Sequence, residues 1–417
     1  MPPVALPAAC RRHLGPLLAA AVGAFALVVV SAAARGQIRL PQKGLPEAQR
    51  IARDPISKED LRLFFTRKGP TPVNAIEGDH LVALLKNDVK ITYSIDLRLQ
   101  RAIERYFQNS GVQYGAFVAV EPSSGRVLAL VSHTRRQKNA SRPVALRASF
   151  PAASIFKIVT VAAALQEEKI TPQTVVHFQG GYWSMNRSVL RDNPRRDRRR
   201  LTVEDALALS CNHCFGKVAT RWVGRRALQS YAAAFGFNEP FEFELPVEES
   251  RASIPRDPYE LARTGAGFGK VFFSPLHAAL VAATLANHGR MMEPSIVEKI
   301  EDRDGRILYR PERRVIATPV KPDVARQINH MMAKTTEKGT ARRAFAGFSR
   351  SHPALEVAGK TGSLRGSDPP GYNYWFVGSA PVDHPTIAVA ALVSSRAGVR
   401  IKGNQVARRA FDTYFSR

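Results

Sequence analysis

Ser154-Ile-Phe-Lys157 is the stretch that decides the fold. A serine hydroxyl is a poor nucleophile until a base takes its proton. Lys157 follows three residues later, and residues i and i+3 share a helix face, so its amine reaches the hydroxyl. The serine would stand at a helix N-terminus, where free backbone N–H groups favour developing negative charge. Taken alone, the pair reads more simply as an N-cap serine and a solvated lysine. Phe156, Ile158 and Val159 crowd Lys157, however, and argue for partly buried surroundings.

A lysine must be neutral to act as a base, and burial or a second nearby cation lowers its pKa. Two downstream segments complete such a site: Ser210-Cys-Asn212 and Lys360-Thr-Gly362-Ser363. Lys360 supplies the second charge, and Ser210 relays a proton towards a leaving group. Asn212 holds Lys157 by its amide oxygen and a substrate peptide by its NH₂. Ser210 and Asn212 are two residues apart, so they face one site only where the chain leaves regular helix. A tight turn or helix junction is therefore expected there. Strand alternation puts Thr361 and Ser363 on one face, with Lys360 on the other unless the strand twists. Gly362 permits close approach of a substrate backbone. A substrate strand could add to this edge, with hydroxyls holding its terminal carboxylate. Ala358-Gly-Lys-Thr361 also resembles the end of a nucleotide-binding loop, but that loop needs glycine where Ala354 stands.

Around these motifs the chain reads as mixed α and β. A helix over 97–106 enters from Ser94-Ile-Asp96, and strands 116–120 and 126–131 are joined by Pro122-Ser-Ser-Gly125. A helical region covers 153–168. The arginine-rich 190–200 stretch reads as a solvated loop. Thr202-Val-Glu-Asp205 starts another helix. Gly265-Ala-Gly-Phe-Gly269 is a flexible turn before a helix at Pro275, and a weak phosphate cradle. Strands are expected at 357–361, 375–380 and 387–393, with 364–374 a loop and 405–416 a closing helix. The fold class is α+β: an antiparallel sheet flanked by helices, plus an all-helical part.

Towards the N-terminus, Leu14 to Ala34 is almost wholly apolar, with Arg11, Arg12 and His13 before it and Arg35 after it. About 20 apolar residues span a bilayer, and the basic flank stays in the cytoplasm. Ser31-Ala-Ala-Ala34 offers a signal-peptide cleavage site, but the stretch exceeds the ~7–15 residues of a signal core. Both readings export the rest of the chain. The expected divisions are a cytoplasmic stub (1–13), a membrane anchor or signal segment (14–34), a juxtamembrane module (35–90) and a catalytic domain (91–417). In the module, Ser57-Lys-Glu-Asp60 caps a helix carrying Leu61, Leu63, Phe64 and Phe65, and 80–85 is a second apolar stretch. It reads as a stalk and docking surface.

Lys and Arg number 61 against 35 Asp and Glu, a formal charge of +26. Such an excess attracts anionic polymers or surfaces. Export excludes nucleic acid and leaves wall polymer or anionic lipid. Cys10, Cys211 and Cys214 are the only cysteines. The Cys211-x-x-Cys214 pair lies in a helical pattern without a preceding strand, so buried thiols are expected rather than a redox or zinc site.

The three motifs, in this order, resemble the penicillin-binding proteins, specifically the transpeptidase domain of high-molecular-mass members. Similar phrases include Ser94-Ile-Asp-Leu-Arg-Leu-Gln100, Val120-Glu-Pro-Ser-Ser-Gly-Arg-Val127, Phe273-Ser-Pro-Leu-His277, Glu337-Lys-Gly-Thr340 and Tyr374-Trp-Phe-Val-Gly378. The resemblance covers roughly 90–417. It implies the penicillin-binding/β-lactamase-like fold and a penicillin-sensitive D,D-transpeptidase. Ser154 would be acylated by the D-Ala–D-Ala end of a peptidoglycan stem peptide, with backbone N–H groups of Ser154 and Ser363 as oxyanion hole. Ser154, Lys157, Ser210, Asn212 and Lys360 would be catalytic, and Thr361, Gly362 and Ser363 would bind substrate. No cofactor or metal is implied. The implied partners are stem peptides, β-lactams, the cytoplasmic membrane and other wall-synthesis proteins. The implied location is single-pass in a bacterial inner membrane, with the catalytic part on the extracytoplasmic side.

The stretch between the apolar segment and these phrases is shorter than the ~100–200 residues of a domain, so no glycosyltransferase domain is expected. Rival readings are a D,D-carboxypeptidase and a serine β-lactamase, the latter lacking an identifiable deacylating carboxylate. A β-lactam sensor or inactive wall-synthesis scaffold is a rival of another class. A sensor needs more than residues 1–13 in the cytoplasm, and no catalytic side chain that an inactive scaffold would have lost is missing.

Overall fold

The computed structural model describes residues 38–39, 56–68, 73, 75–85, 88–135, 143–353, 355–396 and 399–416. The 14–34 segment, Cys10 and Ala354 lie outside them. Among the described residues, no helix is long and apolar enough to cross a membrane.

The centre is a five-stranded antiparallel sheet in the order Ala358–Ser367, Pro370–Ala380, Ile387–Ser395, Tyr114–Val120, Val127–Thr134. Its apolar alternation serves both faces. Val118, Trp375, Val377 and Leu392 point into one core, while Phe117, Phe376, Val389 and Ala391 point into the other. A sheet covered on both sides needs such continuous apolar runs. On the first face lies Pro275–Ala286, a helix buried along its whole length. Ser274 caps it through a bond from the His277 N–H, and Pro275 occupies the first turn. On the second face lie Leu97–Ser110 and Gly403–Phe415. The all-helical part includes Lys157–Gln166, Val203–Ala208, Asn212–Lys217 and Pro258–Gly265. The α+β architecture expected from the sequence is therefore observed.

Three expectations need correction. The 364–374 stretch is not a loop, because the hairpin ladder continues through Leu364↔Asn373, Arg365↔Tyr372 and Gly366↔Gly371. Tyr372 and Tyr374 favour a pleated surface, and Pro370 sits at a strand start, where its missing N–H costs least. Nor is 190–200 simply a solvated loop. Arg199–Thr202 is a strand paired with Val175–Phe178, and Arg199 stacks over Tyr182 at 4.5 Å. Asp197 is buried against the Lys217 ammonium at 2.6 Å. Finally, Cys211 and Cys214 are joined as a disulfide rather than left as thiols. Cys211 has extended backbone as the N-cap of Asn212–Lys217, which brings the two Cα atoms to 5.3 Å, within bridging range.

The described residues between 56 and 93 are docked on this body. Lys58–Lys68 starts at a reciprocal cap in which Asp60 accepts from the Ser57 N–H and the Asp60 N–H donates to Ser57 Oγ. Leu61 and Phe65 join the main core. His80–Leu84 pairs with Lys90–Tyr93, which pairs in turn with Val297–Glu301.

Candidate active site

Ser154 lies on a 3₁₀ turn, Ala153–Phe156, that leads into Lys157–Gln166. Ala153 there has a left-handed φ of 51°, a conformation that costs a non-glycine residue roughly 1–3 kcal/mol and persists only when neighbours impose it. Gly267 is such a neighbour. Its own φ is +97°, and a Cβ on it would lie 2.0 Å from the Ala153 carbonyl oxygen. Only glycine fits. Gly267 of the glycine cluster therefore braces the turn that carries Ser154.

Lys157 is fully buried. Its Nζ lies 2.8 Å from Ser154 Oγ, 2.8 Å from Asn212 Oδ1 and 2.5 Å from the Ala266 carbonyl oxygen. A neutral amine has two N–H donors and one lone pair. The two carbonyl-type oxygens take the donors, which leaves the lone pair for the Ser154 hydroxyl proton. Burial, and then the nearby Lys360 charge, hold the Lys157 pKa well below the usual lysine range.

Ser210 ends the Val203–Ala208 segment with φ 58°, just before Asn212–Lys217 begins. This is the helix junction required for Ser210 and Asn212 to face one site. Asn212 Nδ2 donates to the Trp183 carbonyl at 2.8 Å, a contact not anticipated from sequence. Lys217, one turn along, ties this helix to Asp192 and Asp197.

Lys360 leaves its strand on the side opposite Thr361. Its Nζ meets Ser210 Oγ at 3.0 Å and the Thr361 carbonyl at 2.8 Å. Burial brings its pKa down to about 7. Thr361 Oγ1 bonds Thr340 Oγ1. Thr340 was visible in the sequence only as the end of a family-like phrase. Gly362 lets the strand edge approach the turn that carries Ser154, since a Cβ there would lie 3.1 Å from Ile155 Cγ1.

All eight residues singled out from the sequence thus converge. Ser154, Ser210, Asn212, Thr361, Gly362 and Ser363 line a groove of about 520 Å³. Lys157 and Lys360 are buried behind it. The groove runs along the Ala358–Ser367 strand, which is a sheet edge. Such an arrangement suits acyl transfer: a hydroxyl with an adjacent neutral base, a second amine–hydroxyl pair, and a strand edge to bind a peptide.

A fold and site of this kind define a serine acyltransferase. The family model for the penicillin-binding protein transpeptidase domain matches residues 115–415, and the chain belongs to that family. It is 30% identical over 382 residues to peptidoglycan D,D-transpeptidase PbpA of Mycobacterium tuberculosis, covering 83% of this chain and 74% of that one. It is 28% identical to peptidoglycan D,D-transpeptidase MrdA of Haemophilus influenzae, covering 78% and 56%. Among solved structures, penicillin-binding protein A of M. tuberculosis as its penicillin G acyl-enzyme complex aligns with a TM-score of 0.62 and 25% identity, covering 86% of each chain.

Proposed function

We propose that this chain is a penicillin-sensitive peptidoglycan D,D-transpeptidase with Ser154 as nucleophile. The observation that carries the proposal is the Lys157 amine, buried with two acceptor oxygens and the Ser154 hydroxyl around it.

The steps follow from these positions. Ser154 Oγ attacks the carbonyl carbon between the two D-alanines as its proton passes to Lys157. Backbone N–H groups of Ser154 and Ser363 receive the oxyanion, each such donor being worth about 2.7–4 kcal/mol. Lys360 and Ser210 relay a proton to the departing D-alanine amine. Thr361 and Ser363 hydroxyls hold the terminal carboxylate, and Gly362 keeps the strand edge close. Asn212 fixes Lys157. The acyl group then passes from Ser154 to an acceptor amine, forming the crosslink and restoring the hydroxyl.

The catalytic domain spans 91–417 and works outside the cytoplasm, anchored by 14–34. The Cys211–Cys214 disulfide supports this, because such bonds persist in oxidising compartments.

Incubation with a pentapeptide ending in D-Ala-D-Ala and an amine acceptor should release D-alanine and form a crosslinked product. Ser154→Ala should abolish both. Products undiminished in Ser154→Ala would refute the proposal, and hydrolysed tetrapeptide alone would replace transpeptidation by carboxypeptidation.

A further inference from the structure

Beyond the nucleophile, the groove reaches a wall that the acyl-transfer steps do not use. Alternation places Thr361, Ser363 and Arg365 on one face of the edge strand. Tyr374 pairs across from Ser363, and Tyr372 across from Arg365. The two tyrosine rings stack with centroids 6.3 Å apart, and both line the groove. Each carries a cation. The Arg365 guanidinium lies 5.9 Å from the Tyr372 centroid, and the Lys402 ammonium lies 5.1 Å from that of Tyr374.

Lys402 comes from the far end of the chain, yet its backbone is fixed. Its N–H donates to Gln405 Oε1 at 2.8 Å. The next residue, Gly403, is pressed against the sheet, where a Cβ would lie 2.6 Å from the Ala391 oxygen and 2.7 Å from the Phe376 nitrogen. Among the described residues, neither Arg365 nor Lys402 has a carboxylate partner. Lys402 on the groove wall and Arg365 over the wall's Tyr372 ring, each on an aromatic face and without a carboxylate partner among the described residues, are preorganised for an anion.

We propose that Arg365 and Lys402 recognise a free carboxylate on the donor peptide, on the amino-terminal side of its D-Ala–D-Ala end. This inference rests on the D,D-transpeptidase reading. With the terminal carboxylate at Thr361 and Ser363, the preceding donor residues run along the strand edge. Arg365 lies two residues past Ser363, roughly 7 Å along the strand. That is within reach of a side chain on the residue before the D-alanines. A carboxylate there gains charge-assisted bonds that its amide loses.

The test uses the full chain and two donor pentapeptides that differ in one group. The residue before the D-alanines carries either a free side-chain carboxylate or the corresponding amide. kcat/KM for D-alanine release should favour the free acid by about tenfold, as expected for charge-assisted hydrogen bonds. The double variant Arg365→Gln/Lys402→Gln should lose that preference, whereas Lys402→Arg should keep it. Equal rates in the unaltered protein, or a preference surviving in the double variant, would overturn the inference. The benzylpenicillin adduct on Ser154, followed by mass spectrometry, reports separately on acyl transfer. Its absence from the unaltered protein would overturn the transpeptidase reading itself.

Discussion

At the scale of single residues, the site is built on two lysines that the fold holds against their preferred charge. Lys360 illustrates the consequence for stability. Its pKa is brought down to about 7 by burial, against about 10.4 in an unfolded chain. Between these values the unfolded state binds more protons than the folded state, so stability rises with pH across that window. Below pH 7 both states are charged and the full penalty applies. Lys360→Met should therefore be more stable than the unaltered protein near neutrality while losing acylation. Its advantage should shrink by on the order of 2 kcal/mol between about pH 7 and pH 9. Denaturant unfolding at both pH values measures this, and an advantage independent of pH would refute it. The lysines themselves were legible in the sequence because their motifs stand in order with the right spacing. Trp183 was not, since it meets Asn212 through a backbone carbonyl, and a backbone contact leaves no side-chain signature.

At the scale of elements, the turn that carries Ser154 depends on a neighbour more than 100 positions away in sequence. Ala153 is held at positive φ with the Gly267 backbone packed against it. Gly267→Ala would add a Cβ in direct conflict with the Ala153 carbonyl, at a backbone angle that disfavours any side chain. The variant should lose roughly 1–3 kcal/mol of stability. Its acylation rate should fall more than its stability loss explains, because Ser154 moves with the turn. Acylation kinetics on the folded fraction check this, and a normal rate there would separate the glycine from the site. Element boundaries were the least legible part of the chain. Asp368 and Pro369 make the tight turn, and Pro370 and Gly371, which begin the next strand, read as part of the same punctuation and obscured the strands on either side. Arg199 likewise read as one more charge in a run, because stacking on Tyr182 depends on a strand pairing that local composition does not encode.

At the scale of the whole molecule, the sheet is covered on both faces, and its Ala358–Ser367 edge borders the groove where a peptide would add. The all-helical part delivers Ser154, Lys157, Ser210 and Asn212 to that edge, and the sheet delivers Lys360, Thr361 and Ser363. Neither part holds a complete site. The ordered motifs carried this convergence in the sequence, since each requires the others. The docking of 56–93 was less legible, because the partner strand Val297–Glu301 lies some two hundred residues away. The chain's formal charge is +26, and Arg365 and Lys402, which have no carboxylate partner among the described residues, are two of the cations behind it.

The central claim is that an uncharged Lys157 takes the proton of Ser154. It is tested most directly by the rate of Ser154 acylation by benzylpenicillin across pH, read by mass spectrometry of the intact chain. The rate should climb with pH and level off at an apparent pKa well below 10.5, following the depressed lysine. Lys157→Ala should lose at least a hundredfold at every pH, as expected when a general base is removed, while still unfolding cooperatively. Acylation that persisted in the folded Lys157→Ala protein at near the unaltered rate would contradict the account.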